Sequence, residues 1–167
     1  MSSRHAARQP FQRFLDEHRQ PVLAFLRAMV GPDDAEDCFQ ETFIAAMRAY
    51  EDMDGRYPRA WVMTIARRKA IDHHRARARR PLPSEDMPEV AAPAASGGLG
   101  DLNGEVWSAV AELSDSQRAA VALRYAGDLA YREIAAALEI SEEAARRRVA
   151  DGLRALRENV DREEAVR

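Results

Sequence analysis

The sequence predicts an all-α protein built from two small helical domains joined by a flexible linker. Three observations carry this. Apolar residues recur every three or four positions, and no stretch alternates like a strand. One 24-residue segment, 81–104, holds four Pro and four Gly and has no hydrophobic period. Start and stop signals bracket the periodic stretches on either side of it. The 167 residues, 46% of them hydrophobic, suffice for two small cores and argue against wholesale disorder.

The first domain is placed at 10–80 and has three candidate helices. Val22, Phe25, Leu26, Met29 and Val30 recur at helical spacing until Gly31-Pro32 stops them. The next helix opens on Asp33 and Glu36, the pattern of a reciprocal capping box. Its apolar stripe runs Ala35, Cys38/Phe39, Thr42/Phe43, Ala46/Met47, Tyr50. Asp54-Gly55 marks a turn over Asp52 to Pro58. A third helix runs from about Arg59 toward Arg79, with Trp61, Val62, Ile65 and Ala66 inward, and ends before Pro81.

The linker, 81–104, carries Glu85, Asp86, Glu89 and Asp101 and no basic residue, so it reads as flexible and acidic. The second domain follows at 105–160. Val106, Val110 and Leu113 suggest a short helix, with Trp107 seating it. Ser114 with Gln117 forms a second capping box, for a helix reaching about Ala126, and Gly127-Asp128 breaks it. A short helix spans Tyr131 to Leu138. Ser141 then caps a long helix with Ala145, Val149, Leu153, Leu156 and Val160 as its buried stripe.

Charge is segregated along the chain. From Asp33 to Asp54 there are eight acidic residues and one basic residue, Arg48; from Arg56 to Arg80 there are nine basic residues and one acidic residue, Asp72. One reading is two solvated faces that attract each other, but surface ion pairs contribute little each. The other gives each surface its own partner, the basic one meeting phosphates. The net charge of −3 announces no global attraction to nucleic acid, so distribution matters more than sum.

Tyr131 to Val149 fits a helix-turn-helix: Ile134 and Leu138 pack, Ala135 permits close approach, and Ile140 closes the turn. Arg146, Arg147 and Arg148 fall in the N-terminal half of the second helix, the part that enters a major groove. Arginine there can take guanine bidentately or grip phosphate. An ordinary helical hairpin with a solvated arginine face is the alternative.

Several classes are excluded or disfavoured. Glycine-rich phosphate loops, nucleophile–base pairs and metal-ligand spacings are all missing, so neither an enzyme nor a bound metal or cofactor is expected. His73 and His74 are adjacent on a helix and point apart, so they do not share a metal. The single cysteine, Cys38, reads as a small core residue. No signal peptide or membrane-length apolar run occurs, and a cytoplasmic protein is expected.

Several segments carry a family resemblance. Asp34-Ala-Glu-Asp-Cys-Phe-Gln-Glu-Thr-Phe43 resembles the polymerase-binding helix of sigma region two. Pro58-Arg-Ala-Trp-Val-Met-Thr-Ile-Ala-Arg67 and Ala70-Ile-Asp-His-His-Arg75 resemble the helix of that region that melts promoters and reads the −10 element. Leu113-Ser-Asp-Ser-Gln117, Leu123-Arg-Tyr125 and Tyr131-Arg-Glu-Ile-Ala-Ala-Ala-Leu138 resemble sigma region four. In order and spacing the chain is similar to the extracytoplasmic-function (ECF) subfamily of bacterial sigma factors, over roughly 10–80 and 105–158. Larger sigma factors carry further domains, for which this chain has no room.

The resemblance implies a division of labour. Asp37, Gln40 and Glu41 would dock on the coiled coil of the largest subunit of core RNA polymerase. Arg56, Tyr57, Arg67, Arg68, Lys69 and His73 would open the −10 element and hold an extruded base, whose unstacking costs a few kcal/mol. Arg146, Arg147 and Arg148 would read the −35 element. The linker would thread through the polymerase, and an anti-sigma protein would be a further partner. The alternative is a sigma-like DNA-binding regulator that has lost core binding; another is a helical adaptor whose arginines are merely solvated.

The chain departs from the family pattern at several positions. Arg68 stands where Asn is frequent. Ala130 replaces a Ser cap, a loss on the order of 1 kcal/mol. Glu139 replaces a turn Gly, with a similar cost if its backbone is left-handed. Ala144-Ala145 replaces Thr-Val, and Asp151 falls where a basic residue is common.

Overall fold

The computed structural model describes residues 9–80 and 104–166. Seven α-helices follow in order: α1 (Phe11–Val30), α2 (Pro32–Ala49), α3 (Pro58–Arg79), α4 (Gly104–Ala111), α5 (Asp115–Tyr125), α6 (Tyr131–Leu138) and α7 (Glu142–Val166). A 3₁₀ turn, Tyr50–Asp52, follows α2. The expected linker lies outside the described residues apart from Gly104, as does the side chain of Trp107.

Helix α1 begins well before Val22, at Phe11, and continues through Pro21. Proline cannot donate to the carbonyl four residues back, that of Glu17. Glu17 is exposed, so water can serve that carbonyl. The expected capping box at Asp33 and Glu36 does not form. Gly31, at φ +85°, takes the cap position and Pro32 the first helical position, without a side-chain cap. The left-handed backbone is the reason glycine stands there. Asp33 and Asp34 instead occupy the first turn, where carboxylates meet the positive end of the helix dipole.

Helices α1, α2 and α3 pack as a three-helix bundle. Phe14, Phe25, Leu26, Val62 and Met63 are among its fully buried side chains. Phe14 centres an aromatic cluster, with its ring 5.2 Å from Tyr50 and 5.9 Å from a half-buried Trp61. The Tyr50 hydroxyl donates to the Gln9 carbonyl at 2.7 Å, tying the start of α1 to the end of α2. Thr42 is buried because its hydroxyl bonds back to the Cys38 carbonyl at 2.6 Å.

In the second domain, Leu123, Leu129, Ile134, Ala145 and Val149 form the centre of the core. Ser114 caps α5 by accepting from Gln117 N at 3.4 Å, and Ser141 caps α7 by accepting from Ala144 N at 3.1 Å. Gly152 lets α7 approach α5 closely: a Cβ there would sit 2.6 Å from Val121 Cγ2. The expected α7 stripe fades along its length. Ala145 and Val149 are buried, Leu153 and Leu156 half-buried, and Val160 exposed. The helix outruns the described body of its domain, so its last turns are exposed.

The two domains meet along a seam. Helix α3 packs on α6, and α1 packs on α4 and α5. A Cβ on Gly127 would lie 3.2 Å from Met63 Cε. Beside it Arg59 and Asp128 approach to 3.7 Å.

Candidate nucleic-acid interface

On α2, Ala35, Cys38, Thr42, Phe43 and Ala46 face the bundle. Helical geometry then turns Asp37, Gln40 and Glu41 outward, and all three are exposed. The same face carries two large apolar side chains that the sequence reading did not assign to it. Ile44 is 46% exposed and Met47 56% exposed. Met47 was expected in the buried stripe beside Ala46. Neighbouring helical residues point about 100° apart, and Ala46, fully buried, takes the inward position. Ile44 could have been noticed as an apolar residue four positions from Gln40, on the face that also carries Asp37 and Glu41.

The turn after α2 is held locally. Asp54 Oδ1 accepts from Arg56 N at 3.0 Å, an Asx turn, and Gly55 has φ +75°. The exposed Arg56 lies over the ring of Tyr57, 5.9 Å from its centroid. Tyr57 is half-buried and caps α3 with its carbonyl, accepting from Trp61 N at 2.9 Å.

The basic residues of α3 divide by direction. Lys69 lies 3.8 Å from Glu41, His73 Nε2 lies 3.1 Å from Asp34, and Arg77 donates to Asp34 at 2.6 Å. His74 turns the other way and meets the Met29 carbonyl of α1 at 2.9 Å. The two histidines therefore diverge as their adjacency requires, one to α2 and one to α1. Arg68 is exposed and Arg67 half-buried. Thus Arg56, Tyr57, Arg67 and Arg68 lie on the turn and upper part of α3, whereas Lys69 and His73 face the acidic helix.

In the second domain Arg146, Arg147 and Arg148 fan around α7. Arg146 donates to Glu142 at 2.6 Å and stacks over Tyr131 of α6, 4.6 Å from its centroid. Arg147 donates to Glu143 at 3.1 Å and points away from the core, and Arg148 is half-buried. Arg124 donates to the Leu129 carbonyl at 3.1 Å and also lies over the Tyr131 ring, 5.1 Å from its centroid, bracing α6. Asp151 lies 3.5 Å from Arg154. Glu139 is left-handed, at φ 56°, as its place in the turn required. Ala130 has no side-chain oxygen to cap α6, but Glu133 supplies half of a reciprocal cap, accepting from Ala130 N at 2.8 Å.

Cys38 is buried, and burial pushes its thiol up to about 11, with Glu41, Asp34 and Asp37 adding to the rise. It is inert packing. Among the described residues no three His, Cys, Asp or Glu side chains are grouped to hold a metal, and no helix is long and apolar enough to cross a membrane.

Residues 14–80 match the family model of sigma-70 region 2, and residues 103–156 match that of sigma-70 region 4. The chain belongs to the sigma-70 family. Its relatives lie in the ECF group. The ECF RNA polymerase sigma factor SigK of Mycobacterium ulcerans (strain Agy99) is 29% identical over 165 residues, which span 92% of this chain and 87% of that one. The ECF RNA polymerase sigma factor SigX of Bacillus subtilis (strain 168) is 28% identical over 162 residues, spanning 90% and 84%. The sigma factor RpoE of Bartonella quintana, solved in complex with the anti-sigma factor NepR, superposes with a TM-score of 0.75 at 27% identity, covering 90% of this chain and 96% of that one. In this sigma factor, then, the acidic α2 and basic α3 belong to region 2, and the helix-turn-helix α6–α7 to region 4.

Proposed function

We propose that this sigma factor docks on core RNA polymerase through the outward face of α2 and delivers it to promoters. The turn 52–58 and α3, with Arg56, Tyr57, Arg67 and Arg68, open and read the −10 element. Helix α7, with Arg146, Arg147 and Arg148, addresses the −35 element. The chain acts by binding and placement, without catalytic chemistry of its own, and its place is the cytoplasm, where the polymerase is. The RpoE neighbour's anti-sigma partner makes a protein of that class a candidate partner here as well.

One observation carries the docking assignment. Ile44 and Met47 are large, apolar and exposed, and they lie among Asp37, Gln40 and Glu41 on a helix whose opposite face is buried. Such an apolar centre ringed by polar groups is the anatomy of a protein interface. It also separates this function from that of a sigma-like regulator working without core polymerase, which has no use for that face. The test is a titration of the full chain against sigma-free bacterial core polymerase. The wild type should bind with submicromolar affinity. Gln40→Ala/Glu41→Ala, and separately Ile44→Asp, should each weaken binding at least tenfold while circular dichroism stays unchanged. Unaltered affinity in both would move docking off α2, and a folded wild type that ignores core polymerase would favour the solitary regulator.

A further inference from the structure

The basic side chains of α3 stand in two rows with different surroundings. Lys69, His73 and Arg77, one per turn, all turn to α2 and meet Glu41 and Asp34. Arg68, Asp72, Arg75 and Arg79 are spaced by four, three and four residues, so they share the face pointing away from the buried side of the helix. All four are exposed, and none of these three arginines forms an ion pair with another described residue. Asp72 is the only carboxylate within that row, which leaves it with a net charge of +2, from three arginines minus one aspartate.

We propose that the outward row, Arg68, Arg75 and Arg79, grips promoter phosphates, while Lys69, His73 and Arg77 are positioning residues that bind α3 to the docking helix. This rests on the promoter-reading role given to α3 above and reassigns its basic side chains. Arg75 and Arg79 enter the DNA surface, and Lys69 and His73 leave it. The physical ground is competition. A side chain that bridges α3 to α2 must break an interhelical contact before it can replace counterions on DNA, whereas the partners of Arg146 and Arg147 lie one turn away on their own helix. An unpaired exposed arginine gives up only water and releases a counterion on contact. The inward row has a different use. Arg77 donates to Asp34, His73 lies beside that carboxylate and Lys69 lies near Glu41, so this row ties α3 to the helix that meets polymerase.

The salt dependence of DNA binding distinguishes the rows, because each phosphate contact contributes about 0.9 to the slope of log K against log salt concentration. Arg68→Ala, Arg75→Ala and Arg79→Ala are each measured on holoenzyme with promoter DNA, and on the free chain with generic duplex at low salt. Each should reduce the slope by about one in at least the holoenzyme measurement. Lys69→Ala and Arg77→Ala should leave the slope unchanged and lower Tm by about 1–3 °C. Asp34→Asn should lower Tm similarly. Combined with Arg77→Ala it should cost less than the sum of the two, as expected of partners in one contact. The reverse pattern, with slope lost at Lys69 and Arg77 and kept at the outward arginines, overturns the assignment. So does strict additivity of Asp34→Asn with Arg77→Ala. The free-chain arm needs no polymerase. Slope lost there at the outward row, in a chain that ignores core polymerase, would sink the sigma role while keeping the row assignment.

Discussion

His18 is 3% exposed within α1, and neither ring nitrogen has a hydrogen-bond partner among the described residues. Its ring lies edge-on to Phe14, 4.6 Å between centroids. Burial lowers its pKa below the usual histidine value; Glu17 opposes the shift and Arg59 adds to it. The unfolded chain takes up the proton near pH 6.5, whereas the folded one resists it. Folding stability from this site is therefore complete above that pH and is lost as pH falls below it. His18→Leu keeps an apolar side chain in place and removes the titration. Between about pH 7.5 and about pH 5.5 the variant should lose less Tm than the wild type. Equal losses would locate the acid sensitivity elsewhere. Residue-scale features such as this one are hard to read in sequence, because a histidine in an amphipathic helix carries no mark of which side it faces. Cys38 was legible, since its neighbours in the apolar stripe fix its direction.

At the scale of elements, α6 came out of the sequence with its bounds intact, Tyr131 to Leu138. Gly127-Asp128 before it and Ser141 after it are unambiguous punctuation. The start of α2 did not. Asp33 and Glu36 satisfy the capping pattern, but Gly31-Pro32 supplies a cap of backbone alone two residues earlier, and a pattern of side chains cannot weigh that competitor. The early start of α1 was hidden by its polar residues and Pro21, since it is Phe14, far upstream, that anchors the first turns. Three consecutive arginines in α7 read as a cluster, yet the helix spreads them over three directions. The turn between α6 and α7 yields a test. Glu139 holds a left-handed backbone with an exposed side chain. Glu139→Gly should stabilise the fold by about 0.5–1 kcal/mol, seen as a rise in Tm. A fall would show that the Glu139 side chain contributes a contact worth more than the strain.

At the scale of the molecule, composition and the 81–104 segment made two domains legible, but the seam between them was not. It joins Met63 to Gly127 and Arg59 to Asp128, pairs far apart in sequence with no local pattern to announce them. In the closed arrangement α3 touches α6. The two promoter elements lie 25 base pairs apart by their own numbering, about 85 Å at about 3.4 Å per pair. The seam must part for one chain to reach both. Dyes on Gln20 and Arg132, both exposed, report its state by energy transfer. Transfer should be strong in the free chain and fall when core polymerase binds. Asp128→Lys should lower it in the free chain by setting two cations together, and Arg59→Asp/Asp128→Lys should restore it. Transfer unchanged on core binding would mean that the seam does not part.

Gly127 and Asp128 sit in a loop that meets α3 at Met63 and Arg59, neither of them proposed to contact DNA, and this has a genetic consequence. Apparent affinity for a partner scales with the fraction of chains already competent to receive it, so a tenfold rise in the open population raises apparent affinity about tenfold. Selection for hyperactive alleles should therefore return substitutions at Arg59, Met63 and the Gly127–Asp128 loop. To anyone mapping activity onto DNA contacts alone, these would look like gain-of-function changes in the wrong place.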